Sequence, residues 1–344
     1  MYRSGKAFLL AVLRWTLTAL VALTFSALSA ISWERQLPGP VFPAHFRIVN
    51  YESTGKDWQA DDERIYRNRA EDNGLIRIEY GYVTLHNDQA YLKLAVDAGQ
   101  YNGYRKSFGY LKSEMDDLFK IQQKKLAEAY NQALVSHPPP AELQATYVGV
   151  QKEYKDGVKN LVRSRGLRYL SESLLAADIP SVVEKNVKNL RQVAESVSDI
   201  MINLGYDSDD LLGTTLPLVQ TAISYSKLPL EEEGRMIAGF SQPLEVLLEG
   251  RGDCDSKTGL LASILLNWDK VRLVGVGVPG HYLLGVLMHP ARGDAFVEYE
   301  GLTYVLVEPS GPAWAPPGVI SDYTQKWLEA RDGVIIEQLT GKQL

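Results

Sequence analysis

The chain has 344 residues, 45% of them hydrophobic and 23% charged, with 42 acidic against 36 basic side chains and a net charge of -6. This balance belongs to a globular protein, and it argues against nucleic acid as the main partner because a phosphate backbone demands a basic surface. One cysteine and five scattered histidines offer no zinc spacing, so no metal or cofactor is expected.

Residues 1–31 carry Arg3 and Lys6 ahead of a long apolar run, the pattern of a secretory signal peptide or an N-terminal membrane anchor formed by residues 7–31. Arg14 leaves 15–31 uninterrupted, short of the ~20 residues that a comfortable span needs. Ala27-Leu28-Ser29 is a small-x-small cleavage pattern, which favours the signal peptide. Either reading keeps the basic end in the cytoplasm and exports the rest, so an extracytoplasmic protein is expected, periplasmic or secreted, or anchored in the inner membrane. The exported part, about 310 residues, implies roughly two domains.

Residues 32–74 are rich in Pro, Gly and charge and read as irregular. "LIRIEYGYVTLHNDQAYLKLAV" alternates apolar and polar residues on both sides of His86-Asn87-Asp88, which predicts a β-hairpin. Together these make 32–106 an irregular lead-in with a hairpin. Residues 107–184 read as a helical segment. Leu143, Tyr147, Val150, Tyr154, Val158 and Leu161 share one helix face, and "SHPPP" at 136–140 separates this helix from the one before it. A second stripe runs from Val183 to Met201 behind a capping box of Ser181 and Glu184. Such stripes ordinarily pack helix on helix, and a partner-binding stalk is the alternative. "DSDD" at 207–210 lacks the later ligands of a calcium loop and reads as a helix start.

The last third mixes periods. "LPLVQTAISYSKLPLEEEGRM" suggests a helix and a loop. The segment after Cys254 suggests a second helix that buries Leu260, Leu261, Ile264, Leu265 and Trp268. "VRLVGVGV", "HYLLGVLM" and "TYVLVE" read as strands, and residues 331–344 as a C-terminal tail. A helix followed by an antiparallel sheet is an α+β layout.

An unpaired thiol in an oxidising compartment is a buried filler, an intermolecular bridge, or a group kept for its reactivity. Cys254 follows Gly250 and Gly252 and opens an apolar helix, so its sulfur is expected at a helix N-terminus, where amides and the macrodipole favour an anion. The candidate base is His281, at the head of a strand after Pro279-Gly280, with His289 as a substitute. Glu308, held at a strand end by Pro309, would orient the imidazole if the last strand runs antiparallel to the histidine strand, with "FVEY" as a spur on the last strand. Glu298 and Glu300 compete with Glu308, and Gln220 or Gln242 could complete an oxyanion site. The two Arg-Gly-Asp tripeptides carry no assigned role.

The three ordered blocks "PLEVLLEGRGDCDSKTGLLASILL", "VPGHYLLGV" and "GLTYVLVEPSGPA" resemble the transglutaminase-like superfamily, in its bacterial cysteine-protease-related branch, over residues 185–330. The resemblance implies a papain/transglutaminase-like core, in which the helix bearing the cysteine packs on an antiparallel sheet. It also implies Cys254 as nucleophile, His281 as general base and acid, and Glu308 as the third member. The family's usual third residue is an aspartate, and the tryptophan that follows the nucleophile in animal transglutaminases is Asp255 here, so calcium dependence and protein cross-linking are not carried over. The expected activity is hydrolysis of peptide or amide bonds in a protein or peptide substrate through a thioester, with amine transfer as a variant. The alternative is a catalytically inactive module that binds peptide or cell-envelope material.

Overall fold

Alternating apolar residues build the first sheet, an antiparallel set of β1 (Tyr66–Asp72), β2 (Leu75–Val83) and β3 (Gln89–Asp97) in that order. Ile76, Ile78, Tyr80 and Tyr82 of β2 point into the core, as the period of two requires. The turn closes with the Thr84 amide donating to the Asp88 carbonyl at 2.9 Å. Strand β1 replaces part of the irregular stretch expected over 32–74: all seven of its side chains are exposed, so it has no buried face to produce an alternating pattern. The structure, a computed structural model, describes residues 64–311 and 314–339, and the expected signal or anchor segment at 1–31 lies outside them. No helix among the described residues is long and apolar enough to cross a membrane.

Helix α1 (Ala98–Ser107) follows β3, capped by Asp97, whose side chain accepts from the Gln100 amide at 2.8 Å. Helices α2 (Lys112–Ser136) and α3 (Pro140–Ser164) form a long hairpin turned by His137 and the prolines. The expected apolar face of α3 is only partly covered: Leu143 and Tyr147 are 42% and 49% exposed, because among the described residues α2 is the main helix it packs along. The helical reading of 107–184 breaks at a small antiparallel ribbon, Leu167–Tyr169 with Leu175–Ala177. Beyond it the second stripe is divided into α4 (Ile179–Asn186) and α5 (Arg191–Leu204) by a 3-10 turn at Lys188–Leu190. The cap of α4 is Asp178, three residues before the expected one, since Pro180 fits the first helical turn, where no amide donor is needed.

Helix α6 (Leu211–Pro217) runs into a π turn over Leu218–Ala222, and α7 (Pro243–Glu249) leads to α8 (Cys254–Leu265). Residues 256–265 of α8 are all buried, against α4, α7 and the second sheet. That sheet contains β4 (Leu273–Val278), β5 (His281–Leu287), β6 (Phe296–Tyr299), β7 (Leu302–Val307) and β8 (Ile335–Gln338), antiparallel throughout in the order β6-β7-β5-β4-β8. Helix α9 (Asp322–Ala330) covers its other face, where Val276, Leu283, Leu306 and Leu328 form a smaller core. Strand β8 pairs with β4 from Val274↔Gln338 to Gly277↔Ile335, so the stretch read as a tail supplies an edge strand. Four half-exposed residues were too short a run to show a period. The protein is α+β, and its main core joins Tyr80 and Leu92 of the first sheet to Leu247, Leu260 and Ile264 around α8.

Candidate active site

The first sheet fixes the loop before the cysteine. Tyr80 donates its hydroxyl to the Leu247 carbonyl at 2.6 Å, and the Arg67 guanidinium donates to the Leu248 carbonyl, both at the C-terminal end of α7 where a cation is favoured. Helix α7 stops at Gly250, whose φ of +66° is left-handed and whose Cα faces Arg67 so closely that a Cβ would lie 2.4 Å from Nε. Arg251–Gly252 then pair in parallel with Ser224–Tyr225. Asp253 takes the cap of α8, accepting from the Ser256 amide at 3.4 Å, and Cys254 is the first helical residue. The Cys254 amide donates to no group among the described residues and points from a helix start.

His281 opens β5 after the two-residue turn Pro279-Gly280, and β7 runs antiparallel to β5 with Leu284 opposite Val307. That register delivers Glu308, one residue beyond β7, to the imidazole. Nε2 of His281 donates to Oε2 of Glu308 at 2.7 Å, with both side chains about 15% exposed. Cys254 lies close enough to the ring to act on it electrostatically. Because Glu308 occupies Nε2, Nδ1 is the ring nitrogen that this carboxylate leaves free. Burial opposes charge on the ring, but the interactions with Cys254 and Glu308 outweigh it and push His281 up to about 10. The remaining carboxylate oxygen, Oε1, accepts from the Ser310 amide at 3.3 Å.

The competing residues fall elsewhere. Neither Glu298, Glu300 nor His289 bonds Cys254 or His281 among the described residues. Gln220 is buried and its Nε2 donates to the carbonyls of Glu308 and Ala315 at 2.8 and 2.9 Å, while Gln242 donates to the Tyr104 carbonyl at 3.0 Å. Both candidate oxyanion amides are therefore brackets of the scaffold. Gln220 fastens the backbone of the very turn that presents Glu308.

Two neighbours, Tyr225 and Lys257, escaped the sequence reading, and Asp255 entered it only as the residue after the nucleophile. Asp255 is pushed up to about 8 by burial and by the adjacent Asp253. Tyr225 is 44% exposed and lies within electrostatic reach of Cys254, Asp253, Asp255 and Glu308, on the rim of the site. Lys257 lies wholly inside, one turn along α8. The signal for Lys257 was present: it is the one charge past the first turn of an otherwise apolar helix. Comparison with family models, with curated proteins and with solved structures finds no match. A thiol at a helix start, within electrostatic reach of an imidazole that is braced by a carboxylate, has the parts for nucleophilic acyl transfer.

Proposed function

We propose that the protein is an exported thiol enzyme that cleaves peptide or other amide bonds through a thioester on Cys254, with His281 and Glu308 completing a triad on a papain/transglutaminase-like core. The observation that carries this reading is His281 bonding Glu308 through Nε2 at 2.7 Å while Cys254, at the start of α8, lies within electrostatic reach of the same ring. In the resting pair His281 takes the thiol proton, and the thiolate attacks the substrate carbonyl carbon. The carbonyl oxygen becomes an oxyanion within reach of the Cys254 amide. His281 then gives its proton to the leaving amine, and the carbon–nitrogen bond breaks to leave the thioester. Water, deprotonated by His281, attacks the thioester and releases the acid, and the thiolate is restored. An amine in place of water gives transfer, and nothing around Cys254 specifies an amine site. Export rests on residues 1–31, whose basic start and apolar run support a signal or an anchor.

The decisive measurement is the rate of Cys254 alkylation by iodoacetamide against pH. A free cysteine is roughly 0.3% thiolate at pH 6, so an imidazolium partner raises the rate there by about 10- to 100-fold over His281→Ala. Equal rates in the two proteins sink the enzymatic reading. A second reading, a peptide- or envelope-binding module without catalysis, draws on Gln220 and Gln242 both being engaged by backbone carbonyls. It predicts a reactive thiol that forms no thioester with an activated peptide amide.

A further inference from the structure

Lys257 is fully buried in α8, one turn past Cys254. Its Nζ donates to the carbonyls of Ile223 at 2.8 Å and Ser310 at 2.5 Å. Both acceptors sit on chain segments that shape the site: Ile223 leads into the Ser224–Tyr225 bridge beside Gly252, and Ser310 lies two residues past Glu308. Burying an ammonium costs several kcal/mol, and an apolar side chain of similar volume would fill the same space without that cost. The two carbonyls satisfy hydrogen bonds but leave the charge unneutralised. The negative charge that acts on the ammonium is that of Glu308, which opposes the burial pushing Lys257 down to about 7. Attraction between two groups is mutual, so the lysine acts on the carboxylate as the carboxylate acts on it.

We propose that Lys257 is a positioning residue for the triad: its ammonium ties the nucleophile's helix to the turn bearing Glu308 and supplies a positive charge beside that turn as the carboxylate braces His281. The role rests on the thiol chemistry proposed above, whereas the tie itself rests on geometry. Gln220 secures the same turn through the Glu308 carbonyl, so the turn is fastened from two sides, and the lysine alone adds charge.

The test uses the full chain with Lys257→Met, close in length and apolar. The expected result is a fall in Cys254 alkylation at pH 6 of roughly 5- to 10-fold, up to one decade of proton affinity, with the acid limb of the profile displaced upward. The same substitution made in Glu308→Gln adds no further displacement. A lower melting temperature with an unchanged pH profile overturns the proposal, since a merely structural lysine would give that result. Where Lys257→Met does not fold, the ¹⁵N resonance of the Lys257 ammonium is titrated in wild type and in Glu308→Gln. Its midpoint falls when the carboxylate charge is removed, and an unmoved midpoint overturns the proposal. If wild-type Cys254 is itself no more reactive than in His281→Ala, the thiol reading fails, and the resonance still reports the link between Lys257 and Glu308.

Discussion

Helix α8 and the α2–α3 hairpin both read as helices in the sequence, yet they stand at opposite limits of burial. In α8 every residue from 256 to 265 is inside, polar ones included, whereas each 25-residue arm of the hairpin buries a single residue, Gln122 in α2 and Val162 in α3. The hairpin instead exposes Phe119, Tyr130, Leu134, Val135 and Val148. A helix surrounded on all sides has nowhere to put an idle polar group, so each one on α8 has a partner. Ser256 accepts from the Ser241 amide, Thr258 bonds the Cys254 and Tyr282 carbonyls, and Lys257 bonds Ile223 and Ser310. On the hairpin, polar side chains face water and say little. Geometry fine enough for a triad requires the first kind of environment, because close packing holds a side chain to one rotamer.

The sharpest way to break this comparison is a core truncation. Leu261→Ala, at a fully buried position of α8, is expected to cost about 2–5 kcal/mol in denaturant unfolding, from lost transfer energy and the cavity left behind. A cost under about 1 kcal/mol would mean that α8 is not closely packed on all sides. The next effect in size tests the charge of the site. A His281 raised from 6.5 to about 10 binds a proton in the folded state that the unfolded chain releases, so its contribution is full below about pH 6.5 and is lost as pH rises through 10. Glu308→Gln removes one cause of that shift. It is expected to cost about 1.5–3 kcal/mol near pH 6, the worth of a hydrogen bond to a charged group, and progressively less toward pH 10. A cost that stays level over this range contradicts a charged imidazole.

The sequence made the site more legible than the fold around it. Cys254, His281 and Glu308 each stand beside a local punctuation mark, Gly252, Pro279-Gly280 and Pro309, and such residues fix where a helix or strand begins or ends whatever surrounds it. The antiparallel arrangement of β5 and β7 followed from the requirement that the carboxylate reach the ring. Strands β1 and β8 were invisible for the opposite reason: edge strands with exposed or half-exposed faces carry no alternation, and only pairing with β2 and β4 makes them strands. Gln220 was misread because an amide looks alike in sequence whether it faces a substrate or two backbone carbonyls. The share of the first sheet in the site, through Arg67 and Tyr80 on the end of α7, was equally hidden, since those contacts join residues far apart in the chain.

The smallest expected effect lies on the hairpin and carries as much information as the largest. Leu134 is 58% exposed near the tip, so Leu134→Ala removes little buried surface and is expected to change unfolding free energy by less than about 0.5 kcal/mol. Its counterpart in hydrogen exchange is that amides of residues 126–150 exchange through local opening, well before those of α8, because the two arms pack mainly on each other and few apolar contacts oppose their separation. Slow exchange at the tip together with a cost above about 1 kcal/mol for Leu134→Ala would mean that this face is covered in solution, since an uncovered leucine cannot account for that much burial energy. The contrast between a buried site helix and an exposed hairpin would then hold for the isolated chain only.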